Sequence, residues 1–446
     1  MIWLPPSILL AAGRADDHPV ARRGGEVISF ARLRADVAAT VGALRAAGCR
    51  RGGLVCADAY LFAVGLLALA HAGAAIVVPP SGQHAILADL SGAWDTLVTD
   101  DPTLPRAVVP GRGGDGVPLT RLAADEVHLD FFTSGTTSQP KRVARTLAQF
   151  EAEAAMLDGV WGGALGPALA TVPHQHVYGL TFRVLWPMAA GRPFSATLHE
   201  VWESLLAELS PDATVVSSPA HLSRLGGFDP VESRPRLVLS AGAPLPPAAA
   251  RECLRVFGVL PTEIYGSTES GAIATRRQET PDAPWRALPG AGIRREDDGR
   301  LSVRLPWIGA EDWVATEDRI DLSLDGGFSL LGRADRVVKI EGKRVSLPQV
   351  EAALMALPQV ADVAAIALSG TRDEVAAVVV PSPAGRAELD RLGSFRFGRL
   401  LRAALADRLE PLTRPRRWRF VDAIPETAMG KRSQALVAAL FDEVPQ

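Results

Sequence analysis

The densest chemistry in the chain lies between Phe131 and Val143, in the stretch FFTSGTTSQPKRV. Two aromatic residues close an apolar run, and small hydroxylated residues, Gly135, Pro140 and two cations follow at once. Short side chains let backbone N–H groups approach an anion. The hydroxyls of Thr133, Ser134, Thr136 and Thr137 add donors, and Lys141 supplies a point charge. This composition asks for a phosphate, although the G-x-x-x-x-G-K-[ST] spacing of a Walker A loop is absent.

Further candidates lie downstream. Tyr265-Gly266-Ser267-Thr268-Glu269 follows the strand-like Thr262-Glu263-Ile264. It offers a stacking face, a hydroxyl donor and a hard oxygen ligand suited to Mg²⁺. Leu237-Val238-Leu239 runs into Ser240-Ala241-Gly242-Ala243-Pro244-Leu245, small residues that leave room for a planar ligand at a strand's carboxyl end. Gly430-Lys431 sets a flexible residue beside a long cation able to swing towards developing negative charge. His174 and His176 have the spacing of a chelate, but no Cys, Asp or Glu sits close enough to complete a metal set.

The elements that must position these groups alternate. Val27–Val55 reads as strand, helix and strand, with Ser29 announcing the helix and Gly48 stopping it. Tyr60–Val78 is long enough to span a bilayer. It nevertheless changes from Leu/Ala-rich to β-branched after His71 and Gly73, as a buried helix feeding a buried strand would. Alternation of apolar strands and helices implies a parallel α/β layer. A helix is expected over Ala144–Leu157, its N-terminal dipole facing the phosphates. Asp298-Gly299 and Asp325-Gly326-Gly327 are hairpin signals, so a small antiparallel subdomain is expected near 290–331. From Ser346 a compact α+β region follows.

Composition sets the bounds. The 446 residues call for two or three domains. With 48% hydrophobic and 22% charged residues the chain is globular rather than disordered. A net charge of −3 gives no reason to expect nucleic acid or an acidic membrane as partner. Cys49, Cys56 and Cys253 are scattered and suit a reducing cytoplasm. The apolar N-terminus lacks a cationic start and contains Pro5 and Pro6, so no export signal is expected.

The stretch at Phe131–Val143 resembles the phosphate loop of the adenylate-forming superfamily, which includes acyl-CoA synthetases, aryl-acid ligases, luciferases and peptide-synthetase adenylation domains. Those loops usually read [ST]-S-G-[ST]-T-G-x-P-K-G; here Ser138 and Arg142 stand where glycines are usual. The resemblance extends in family order to Lys431. It implies that Thr133–Thr137 and Lys141 hold phosphates, that Ser240–Ala243 contact adenine and that Tyr265, within Tyr265-Gly266-Ser267, stacks on it. It further implies Thr268 on the α-phosphate and Glu269 on magnesium. Thr316-Glu317-Asp318 parallels a T-G-D motif whose Asp, here Asp318, bonds the ribose hydroxyls, a suitable task for a carboxylate. By the same resemblance Arg333 contacts ribose, Asp335 is the hinge, Gly342 leaves space for a thiol arm and Arg344 touches the nucleotide. Pro173, His176 and Gly179 match a P-x-x-H-x-x-G turn beside the acyl pocket, with Tyr178 inside it. Lys431 matches the lysine that enters the active site for adenylation.

The implied fold is α/β: a large N-terminal domain, 1–334, of α/β layers with the small antiparallel subdomain, then a mobile α+β C-terminal domain, 335–446. The implied activity is an AMP-forming ligase that uses ATP and Mg²⁺ to activate an acyl or aryl carboxylic acid. The acceptor is CoA or the phosphopantetheine of an acyl carrier protein, as in the short stand-alone ligases of bacterial aryl-polyene and pigment clusters, which the chain also resembles. The cluster Arg391, Arg396, Arg399, Arg402, Arg408, Arg414, Arg416, Arg417 and Arg419 would meet such a carrier or CoA phosphates, or be a solvated face. Two competing readings are an adenylating enzyme without a thioester step and a non-catalytic nucleotide-binding homologue.

Overall fold

The computed structural model describes residues 2–104, 107–112, 116–133, 141–163, 165–280, 283–309, 312–340, 343–368, 373–425 and 434–442. Its contacts divide the chain into two compact units, residues 1–292 with 304–312, and residues 293–303 with 313–446.

Two sheets organise the first unit. In one, the strands run in the spatial order Ala107–Val108, Thr96–Thr99, Arg51–Val55, Ala75–Val78, His128–Thr133 and Lys141–Thr146; the last is antiparallel to its neighbour and the rest are parallel. In the other, parallel strands Phe194–Ser195, Ala168–Ala170, Thr214–Ser217, Leu237–Ala241 and Thr262–Ser267 form the middle, with antiparallel strands at both edges. The helix Phe30–Ala46 starts on Ser29, whose hydroxyl accepts from Arg32 N at 3.3 Å. The apolar helix Ala59–Ala72 is capped by Asp58 and feeds the buried strand Ala75–Val78. It packs in one large core with Phe30, Val37 and Val41, which is why its all-round hydrophobicity needs no membrane. Among the described residues no helix is long and apolar enough to cross a membrane.

One expectation is corrected. The helix does not start at Ala144: residues 144–146 complete the strand Lys141–Thr146, which runs antiparallel to His128–Thr133 and pairs Thr133 with Lys141. The helix begins only at Leu147, where Thr146 and Gln149 make a capping box. The alternation Lys-Arg-Val-Ala-Arg-Thr, with buried Val143 and Arg145 on one face, favours the strand. The helix therefore starts three residues later than expected.

The second unit contains a four-stranded antiparallel sheet of Gly292–Arg295, Arg300–Arg304, Val314–Leu322 and Phe328–Arg333, as the hairpin signals require. This sheet groups with the C-terminal region, whereas the sequence analysis places it in the first domain; Gly332 lies directly against Pro348. A three-stranded sheet, Val360–Leu368, Glu374–Pro381 and Arg417–Phe420, carries the helix Pro383–Ala404, which kinks at Gly393.

Candidate nucleotide and acyl site

Within the first unit, motifs remote in sequence meet. Lys141 leaves the phosphate-loop stretch on its exit strand, and its Nζ donates to Glu269 Oε1 at 3.0 Å, across 128 residues. Both side chains remain substantially exposed, at 64% and 49%, so the pair is open to an incoming ligand. Partial burial alone would push the Glu269 carboxyl up. The Lys141 ammonium, the Glu269 backbone N–H and the Ser267 hydroxyl outweigh that and hold it below the usual glutamate range. An ionised, half-exposed carboxylate fits a Mg²⁺ that takes most of its ligands from phosphates and water. Among the described residues no cluster of three or more His, Cys, Asp or Glu could hold a metal by itself.

Tyr265-Gly266-Ser267 end the strand Thr262–Ser267, and Gly271 opens its antiparallel partner. A Cβ at Gly266 would collide with the Gly271 carbonyl oxygen, so this position admits only glycine. Ser267 and Ser270 close the intervening turn through their hydroxyls, 3.0 Å apart, with Ser270 N donating to Ser267 Oγ at 3.2 Å. Thr268 and Glu269 are thereby presented at the tip. Ser240 lies in register with Glu263 at the end of its strand, and its buried Oγ has no partner. Ala241, Gly242 and Ala243 follow at the surface.

Two acidic residues that the motifs do not include hold these turns. Glu153, on the helix Leu147–Trp161, is 1% exposed and pairs with equally buried Arg145 at 3.0 Å. Its Oε1 accepts from Ala272 N at 2.8 Å. The exit strand of the phosphate loop is thus tied to the hairpin carrying Thr268 and Glu269. Glu263 accepts from Leu245 N at 3.2 Å and from Arg276. Glu153 had a sequence signal, as a charge on an apolar stripe at helical spacing with Leu147, Phe150, Ala154 and Leu157; Glu263, followed on its strand face by Tyr265 and Ser267, had none.

Arg142, the departure from the usual glycine, donates to Asp130 at 2.8 Å; Asp130 is 2% exposed and also faces Arg51 at 3.4 Å. It anchors the two strands that flank the phosphate loop. Ser134, Gly135, Thr136, Thr137 and Ser138 lie outside the described residues, as do Gly342 and Lys431; of Thr133, Asp335 and Arg344 only the backbone is described.

The acyl-pocket turn is also assembled. A Cβ at Gly179 would meet the Pro173 carbonyl oxygen, so the turn closes tightly on glycine. His176 is half-buried, and the Tyr178 hydroxyl donates to Ser217 O at 3.2 Å. Tyr178, Phe182 and Trp186 follow one another ring to ring, with centroids 5.0 and 6.0 Å apart. His174 is no metal ligand. Its Nε2 contacts Cys56 O at 2.9 Å and its Nδ1 lies 3.3 Å from Arg183 Nη1. Burial and the Arg183 charge push its pKa well below the ordinary value, so it stays neutral.

In the second unit, Asp318 sits directly opposite Arg333 in the antiparallel pair of Val314–Leu322 with Phe328–Arg333. The two residues assigned to ribose are therefore neighbours.

Comparison with known proteins fits this arrangement. Residues 83–299 match the AMP-binding enzyme family model, and residues 349–431 match the AMP-binding enzyme C-terminal domain. A 4-coumarate–CoA ligase of Rhodobacter capsulatus is 30% identical over 307 residues, 68% of this chain and 73% of that protein. The chain belongs to the AMP-binding enzymes. Its fold is that of ATP-bound MatB from Rhodopseudomonas palustris, with a TM-score of 0.79 at 20% identity over 99% of both chains. It is also that of a benzoate CoA ligase from Burkholderia xenovorans LB400, with a TM-score of 0.76 at 19% identity over 97% of this chain and 99% of that one. As an AMP-binding enzyme it is an ATP-dependent ligase that activates a carboxylic acid as its adenylate and passes the acyl group to a thiol.

Proposed function

We propose that the substrate is an aromatic or aryl-conjugated carboxylic acid and that the acceptor is CoA. The observation that carries the catalytic part is the Lys141–Glu269 contact, which joins the phosphate-loop exit to the Thr268-Glu269 turn at 3.0 Å. In this reading Tyr265 and Ser240–Ala243 hold adenine, and Thr133–Thr137 with Lys141 hold the outer phosphates. Thr268 and Glu269 address the α-phosphate and Mg²⁺, and Asp318 and Arg333 take the ribose. Magnesium supplies charge neutralisation on the phosphates when bound. The side chains orient the nucleotide so that a carboxylate oxygen attacks the α-phosphorus in line with the departing pyrophosphate. Lys431 then stabilises the charge that builds up there. The aromatic preference is supported by the Tyr178–Phe182–Trp186 ring series behind the His176 turn and by the coumarate and benzoate ligases among the similar proteins.

The test is a pyrophosphate-release assay over a panel of aromatic and aliphatic acids, run with CoA and separately with a holo acyl carrier protein. Aromatic acids with CoA should give the highest kcat/KM. Turnover only with the carrier would replace CoA by the protein acceptor. Pyrophosphate release without any thioester would point to a non-thiol acceptor, and an aliphatic optimum would remove the aromatic assignment.

A further inference from the structure

The first unit holds a buried polar relay outside the family motifs. Glu263 lies two residues before Tyr265, with its side chain 3% exposed. Its carboxylate receives four hydrogen bonds. Oε1 accepts from Arg276 Nε at 2.8 Å and Gln278 Nε2 at 2.9 Å. Oε2 accepts from Arg276 Nη2 at 2.9 Å and Leu245 N at 3.2 Å. Gln278 Nε2 also donates to Leu245 O at 2.8 Å, so the end of the Ser240–Leu245 turn is gripped on both its N–H and its C=O. On the other side, the Arg276 guanidinium covers the Trp285 ring, 4.7 Å from its centroid. Trp285 in turn lies 5.7 Å from Tyr265, tilted by 58°. The relay therefore runs unbroken from the Ser240–Leu245 turn to the Tyr265 ring.

A buried ion pair is poor value for stability alone, because well-packed apolar residues of similar volume serve as well or better. What it adds is direction, since a forked guanidinium on a carboxylate fixes both angle and distance. We infer that Glu263 is a positioning residue which, through Arg276 and Trp285, sets the spacing between the two walls of the adenine cleft. This rests on the assignment of Tyr265 and the Ser240–Leu245 turn to adenine made above. It adds the device that sets their separation.

The test uses the full-length protein, with AMP binding by calorimetry and ATP or GTP as substrate for pyrophosphate exchange. Glu263→Gln breaks the charged fork and should raise Kd for AMP and KM for ATP by about ten- to a hundredfold, the scale of a lost charged hydrogen bond. The kcat should change by less than about threefold, because the phosphates are still held. The preference for ATP over GTP should fall by the same factor as AMP affinity. Gln278→Leu removes only the outer grip and should act in the same direction by about threefold to tenfold. If Glu263→Gln does not fold, Gln278→Leu decides the matter. Arg276→Lys keeps the charge without the fork and should not restore selectivity. Unchanged AMP affinity and ATP/GTP preference in folded variants would overturn the inference while leaving the functional reading intact. A wild-type protein that fails to bind AMP would overturn the reading itself.

Discussion

Glu153→Gln tests whether the exit of the phosphate loop and the Thr268-Glu269 turn are mechanically one piece. The substitution keeps the volume and leaves an acceptor for Ala272 N, but it removes the charge facing Arg145. Both partners are 1% exposed, so solvent cannot replace the lost carboxylate. Breaking a buried pair by removing one charge costs about 3–5 kcal/mol. The unit that contains it spans about 300 residues. At about 2.1 cal/mol/K per residue its unfolding entropy gives roughly 1.6 °C per kcal/mol, hence a Tm lowered by about 5–8 °C. Scanning calorimetry of the intact protein reads this directly. The double variant Arg145→Met with Glu153→Leu should recover most of the Tm, because no charge remains unpaired. It should not recover adenylation, because Ala272 N loses its acceptor and the turn its anchor. A Glu153→Gln protein with unchanged Tm, or a double variant with full pyrophosphate release, would refute the reasoning.

Other outcomes follow from the same geometry. Arg142→Gly should lower stability by about 1 kcal/mol, since Arg142 is more than half exposed and Arg51 still faces Asp130; urea titration checks it, and no change would make Arg142 a solvated residue. Lys431→Ala should cut adenylation by roughly 10²–10³ while sparing thioester formation from supplied acyl-adenylate; equal losses in single-turnover assays of both half-reactions would count against a role confined to adenylation. His174 is neutral because burial lowers its pKa, so the unfolded chain binds the extra proton first. Its contribution is full above about pH 6.5 and is lost as pH falls below it, at up to about 1.4 kcal/mol per pH unit. His174→Gln should flatten the denaturation midpoint against pH between about 6.5 and 5; an unaltered slope would show that the imidazole titrates normally.

Much of the architecture was legible because apolar periodicity is local. Ser29 and the shift to β-branched residues after Gly73 mark helix and strand ends that the fold reproduces. The Asp-Gly turns announce the small antiparallel sheet in the same way. The expectation of helix over residues 144–146 fails because Ala-Arg-Thr is compatible with either period. Strand pairing with His128–Thr133, a tertiary contact, decided them. The motifs named the groups that can meet a nucleotide, since residue type and order alone restrict the chemistry. They were silent on Glu153 and Glu263, whose roles exist only once Ala272 N, Leu245 N, Arg145 and Arg276 surround them. The sequence by itself determined which side chains could do this chemistry and the strand ends that carry them. Only the tertiary structure decided which buried charges hold them in place, because a buried carboxylate takes its partners from segments whose proximity no local pattern encodes.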